Sequence, residues 1–134
     1  MRLMRILIIM TVLTSAYLLF AKDYFEFQNT YRDVTAQQAK KLINRYNDMK
    51  IIDISGTFDM GHIPGAENYF IGDGSLQDAL QELDKSERYL IYYHTNKTSH
   101  KAAEMLTTAG FKKVYRLKGN FSSWVQEGYE TASL

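Results

Sequence analysis

An uncharged apolar run occupies residues 6–21, and beyond it short apolar runs alternate with segments whose apolar positions recur every three or four residues. Residues 22–32 carry Tyr24, Phe25, Phe27 and Tyr31 without a period, and read as a lead-in that packs loosely on the domain. From Thr35 a helical period sets in. Thr35 and Gln38 form a capping box, and Ala36, Ala39, Leu42, Ile43 and Tyr46 share one face. Ile51, Ile52, Asp53 and Ile54 read as a buried strand ending in a carboxylate, turned by Ser55, Gly56 and Thr57. Gly61, Pro64 and Gly65 fix a loop, residues 66–70 read as a short strand, and Ser75 caps a small helix that faces Leu76, Ala79, Leu80 and Leu83 inward. A second buried strand follows at 89–93, parallel to the first. A polar turn, residues 94–98, joins it to a helix with Ala102, Ala103 and Leu106 on its inner face, closed by Gly110. Residues 113–117 form another strand, and a last helix carries Phe121, Trp124 and Val125 on one face up to Gly128. Strands alternating with helices predict an α/β fold: a small, mostly parallel sheet flanked by helices.

The N-terminal run follows Arg2 and Arg5 and is apolar on every face, which argues against a buried core helix. It reads as a signal peptide or a membrane anchor. As a helix it would be ~24 Å long, near the lower limit for a span, so length leaves both readings open. Thr14, Ser15 and Ala16 offer small residues for cleavage, with Leu19, Phe20 and Ala21 a poorer second set. Either way residues beyond 21 are expected outside the cytoplasm, periplasmic or secreted, or held at the membrane by residues 6–21. The expected organisation is residues 1–21 as signal or anchor, 22–33 as lead-in, 34–130 as the domain and 131–134 as a tail.

At 134 residues and 46% apolar content the chain can bury one core. A formal charge of +1 supplies no basic field for nucleic acid. The chain has no cysteine, which excludes disulfides, thiolate metal sites and self-contained thiol chemistry. His62, His94 and His100 lack the spacing of a zinc site, and no cofactor motif is present.

Candidate chemistry collects in the turn after the 89–93 strand, because in an open α/β sheet that position faces the ligand crevice, above the free N–H groups of the next helix. Tyr93, His94, Thr95, Asn96, Lys97, Thr98 and Ser99 make up this region, and a backbone nest with His94 and Lys97 is a candidate for holding an anion. A solvated polar turn explains the same residues. Asp53 reads as a brace between loops, His62 as a hydrogen-bonding fixture of its own loop, and Trp124 as core.

Three segments in order resemble the rhodanese-like (sulfurtransferase) family. Ile52-Asp53-Ile54 followed by Gly61-His62-Ile63-Pro64-Gly65-Ala66-Glu67-Asn68 is similar to its D-V-R … G-H-I-P-G-A-x-N signature. The strand and turn at 92–99 run into Lys101-Ala102-Ala103-Glu104. Val114-Tyr115-Arg116-Leu117-Lys118-Gly119, with Trp124 and Gly128-Tyr129, is similar to V-Y-x-L-x-G-G … W … G-Y. The resemblance implies a rhodanese-like fold over residues 34–130. It also implies an active-site loop of the form C-x-x-G-x-x-S, whose cysteine would carry the sulfane sulfur as a persulfide. Counted back from Lys101, the cysteine position is Tyr93, the glycine position Asn96 and the serine position Ser99. A phenol titrates near ~10 and has no sulfur to form an S–S bond. The phosphatase-like relative does not fit either, since it needs the same cysteine. Asn96 is the next best tolerated residue in the left-handed conformation expected of the loop glycine, and Ser55 stands where an arginine often follows the first strand.

The expected function is therefore a rhodanese-like domain without sulfurtransferase activity, catalytic residues none, serving as a binding or regulatory module for an unknown protein or small anion. An enzyme borrowing a thiol or persulfide from a partner, and a structural domain with no ligand, are the alternatives. Tyr93 would be a plug in the old pocket or one wall of a new one.

Overall fold

The computed structural model describes the backbone of residues 1–134 and the side chains of all but residues 2, 6, 7 and 22–29. The N-terminal run is helical, α1 (Arg2–Asn29). Its stretch Leu3–Ala21, 19 residues with none buried, is long and apolar enough to cross a membrane. The helix continues through residues 22–29, where the sequence shows no period, and the packing expected of their side chains lies outside the described residues.

Five strands form one parallel sheet: β1 (Arg32–Val34), β2 (Met49–Asp53), β3 (Ala66–Asn68), β4 (Arg88–Tyr92) and β5 (Lys113–Leu117), in the order β1-β5-β4-β2-β3. Period-two alternation gives each buried strand two apolar faces, and helices cover both. One core sets Ile52, Ile54, Tyr89, Ile91 and Val114 against Leu76 and Leu80 of α3 (Ser75–Glu82) and against Ala102, Ala103 and Leu106 of α4 (Asn96–Thr108). The opposite core sets Ile51, Leu90, Tyr92 and Leu117 against Ala36 and Ala39 of α2 (Ala36–Arg45) and Trp124 of α5 (Asn120–Gln126). The capping box at Thr35 and Gln38 is formed, with both reciprocal bonds in place.

The structure moves several boundaries. Arg32 and Asp33, assigned to the lead-in, are the first residues of an edge strand that pairs with β5. Three residues are too few to show a strand period. In the tail, Ala132 pairs with His62 in an isolated antiparallel bridge. Ser75 is not a cap: Gly74, at φ 88°, holds that position, and the Ser75 hydroxyl donates to Asp73 instead. Val125 is half exposed at 50%, because one helical step of ~100° from buried Trp124 turns it to solvent. The polar turn is also shorter than expected. Helix α4 begins at Asn96, so only residues 93–95 lie between it and β4.

Candidate functional site

Strands β2 and β4 are in register with Asp53 opposite Tyr92, so their C-terminal ends carry the candidate residues side by side. Alternation then sends consecutive tyrosines to opposite faces. Tyr92 is fully buried in the α2/α5 core, whereas the half-buried ring of Tyr93 packs against the α3/α4 core. The Tyr93 carbonyl accepts from the Phe121 N–H at 3.1 Å, which ties the turn to the start of α5.

Beyond Tyr93 the residues split between turn and helix. His94 is exposed, with Nε2 2.9 Å from Thr57 Oγ1 and its ring edge-on to Phe121. Thr95 is the N-cap residue of α4 but makes no side-chain cap, since its hydroxyl donates to Thr98 Oγ1 at 3.0 Å. Lys97 is exposed in the first turn. The N–H groups of that turn therefore lack a side-chain acceptor, the condition under which a helix start attracts anions. Asn96 is helical and not left-handed, contrary to the conformation expected of it. Among the described residues other than glycine, the left-handed one is Asn120, at φ 61°.

Asn96 and Ser99 point into a buried polar network that the sequence reading missed. Arg116 of β5 is 2% exposed. Its Nε and Nη2 donate to the two carboxylate oxygens of Asp33 at 2.8 and 2.5 Å, and its Nη1 donates to Ser99 Oγ at 3.1 Å and Asn96 Oδ1 at 3.4 Å. Asn120 closes the ring: its Nδ2 donates to Asn96 Oδ1 at 3.1 Å and its Oδ1 accepts from Ser99 Oγ at 3.2 Å. The signal available was Asn120 itself, which occupies the second glycine position of the L-x-G-G pattern. Arg116, a charged residue between Tyr115 and Leu117 near the end of a strand, was the other. Tyr31 adds a contact from the same side, its hydroxyl hydrogen-bonded to His100 Nδ1 one turn into α4. Burial raises the Tyr31 phenol, partly offset by the Arg116 charge.

Asp53 braces the neighbouring loops. Its Oδ1 accepts from Ser55 N–H at 2.7 Å, and its carbonyl accepts from Asn68 Nδ2 and from Tyr69 N–H, both at 3.0 Å. Tyr92 Oη accepts from Ile63 N–H at 2.9 Å, and the second oxygen of Asp53 is buried without a hydrogen-bond partner among the described residues. Burial first and the Asp53 charge second hold the Tyr92 phenol far above the usual tyrosine range, so it stays neutral. His62 is a fixture of its loop: its Nδ1 lies 2.9 Å from Phe58 O and its ring stacks on Phe58 at 3.7 Å. The three histidines thus go to three different partners, Phe58, Thr57 and Tyr31.

Residues 35–127 match the family described as "Rhodanese-like domain". The chain belongs to the rhodanese-like family. Its relatives include proteins named thiosulfate sulfurtransferase GlpE. That of Glaesserella parasuis is 26% identical over 99 residues, which are 74% of this chain and 91% of the relative. That of Ectopseudomonas mendocina is 30% identical over 96 residues, 70% of this chain and 84% of the relative. Among solved structures, the rhodanese-like domain of the Anabaena protein Alr3790 aligns with a TM-score of 0.69 and 27% identity, covering 78% of this chain and 81% of that one. The polysulfide-sulfur transferase of Wolinella succinogenes shares the fold at a TM-score of 0.65 and 20% identity, over 87% of this chain and 89% of its own. Rhodanese-like architecture therefore extends over the sheet and α2 to α5, and residues 93–99 form the junction between β4 and α4.

Proposed function

We propose that this chain is an exported or membrane-anchored rhodanese-like domain that does not transfer sulfur and serves as a binding or regulatory module through residues 93–99. One observation carries the reading: a family whose chemistry runs through a cysteine persulfide is represented here by a chain with no cysteine, and the motif spacing sets Tyr93 at the nucleophile's position. Tyrosine offers no sulfur for the persulfide bond. The packing of Tyr93 against the core and its carbonyl bond to Phe121 support a retained scaffold. The uncapped start of α4, with exposed Lys97 and His94 beside it, supports a protein carboxylate or small anion as the bound group. The N-terminal helix, with Arg2 and Arg5 ahead of its uncharged apolar run, supports placement outside the cytoplasm.

The test is a thiosulfate:cyanide assay on the purified full chain, with isothermal titration of sulfate, phosphate and thiosulfate beside it. The expected result is no thiocyanate above background and saturable anion binding that weakens in Lys97→Ala. Thiocyanate formed only when a low-molecular-weight thiol is added would favour an enzyme that borrows its sulfur carrier, and neither turnover nor binding would favour a structural domain.

A further inference from the structure

Strand β1 is the first element after α1, separated from it by Thr30 and Tyr31. It is an edge strand of three residues, paired through Arg32↔Tyr115, Asp33↔Arg116 and Val34↔Leu117, with the first two residues exposed. Short, exposed edge elements open at the low end of a protein's range of local stabilities. Yet this strand supplies the counter-charge for Arg116, whose side chain is 3% exposed against 39% for Asp33.

We infer that β1 is a latch on the 93–99 turn: Asp33 holds Arg116 in the position from which it fastens Asn96 and Ser99, so displacing β1 releases the first turn of α4. The geometry gives the reason. Two of the guanidinium's nitrogens are committed to Asp33 and the third to the turn, so one rigid planar group joins the edge strand to the candidate site. With Asp33 withdrawn, a buried cation would be left uncompensated close to the positive end of α4, a doubly unfavourable place. Arg116 must then swing toward water, and Asn96 and Ser99 lose their shared donor. The Tyr31 bond to His100 makes the same connection one turn further along the helix. A partner that seizes the α1 to β1 junction, or a movement of α1 that draws residues 30–34 off β5, thereby loosens the turn. Coupling of this kind is reciprocal, so a ligand that displaces Asn96 and Ser99 weakens the hold on β1. The coupling belongs to the fold and stands whatever the turn binds.

Hydrogen exchange read by mass spectrometry on the full chain in detergent micelles tests it. Asp33→Asn removes the charge with the least disturbance. The double variant Asp33→Ala with Arg116→Met removes both charges, so no buried cation is stranded and the fold is kept. In both, amides of residues 99–103, the first of α4 to be hydrogen-bonded, should exchange about tenfold faster than in the wild type, while those of β2 and α3 stay within about twofold. In the reverse direction, Asn96→Ala should speed exchange at Lys118, whose N–H donates to Val34 O at 2.8 Å, by about fivefold. Unchanged exchange over 99–103 in the folded variants overturns the inference. So does equal acceleration of the turn and of β2, which would show only a general loss of stability.

Discussion

Removing the indole of Trp124 is the sharpest test of how the last helix is held. The ring is 1% exposed in the α2/α5 core, meets Tyr129 edge-on at 4.9 Å, lies under the Lys40 ammonium at 5.6 Å and donates from Nε1 to the Glu130 carbonyl at 2.8 Å. Burial alone puts the cost of Trp124→Ala at about 3–5 kcal/mol, and the lost hydrogen bond adds about 1 kcal/mol. Total stability for a domain of this size is about 5–15 kcal/mol, so the variant sits near the edge of folding. Helix α5 also supplies the Phe121 N–H that holds the Tyr93 carbonyl, so the loss reaches the candidate site. The chain has a single tryptophan, and the variant therefore has no indole fluorescence to compare. Near-ultraviolet circular dichroism of the tyrosines, followed through urea unfolding of the full chain in micelles, avoids that difficulty. At a slope of about 2 kcal/mol per molar urea the midpoint should fall by roughly 2–3 M. Trp124→Phe, which keeps most of the volume and loses the donor, should fall by less than half as much. A midpoint for Trp124→Ala within about 0.5 M of the wild type would refute the packing argument.

Alkaline stability follows from the tyrosines. Tyr92 is held neutral by burial and by Asp53, Tyr89 is pushed up to about 12 chiefly by burial, and Tyr69 to about 12 chiefly by its bond to Glu67. Each phenol has a folded pKa above its unfolded value near ~10, so the stabilisation is complete below pH ~10 and is lost as pH rises beyond it. The melting temperature should stay level to pH ~9.5 and then drop, and ultraviolet titration should show these phenolates appearing only with unfolding. An unchanged melting temperature at pH ~11.5 would contradict the assignment. Tyr93→Cys alone should introduce a thiol that takes sulfane sulfur from thiosulfate weakly, detected by cyanolysis. Adding Asn96→Gly should lower that activity, since it strips the Arg116 and Asn120 donors of their shared acceptor; a gain would show that the network does not hold the turn. Protease added to intact spheroplasts should digest the chain beyond residue 21, and protection until lysis would place the domain in the cytoplasm.

The elements legible in the sequence were those with long, clean periods. The capping box at Thr35, the apolar runs of β2 and β4, and the inner face of α4 each satisfied a local rule, and tertiary packing agreed with it. The candidate site was legible only in part. Motif spacing located the turn, but not that Asn96 begins a helix, because the start of α4 is stabilised from outside by Arg116 and Asn120, more than 19 residues away along the chain. Asp33 was misplaced for the same reason: a strand of three residues has no period, and its role depends on a partner 83 residues distant.

Both borders of the sheet are strands of only three residues, β1 and β3. A longer bare border presents a row of free amide and carbonyl groups on which another chain can crystallise into an aggregate. Here the outer rows are brief and carry Arg32, Asp33 and Glu67 in exposed positions. Copies of the domain crowded on one surface therefore have little backbone to zip together, and can stay individually dispersed at high local density.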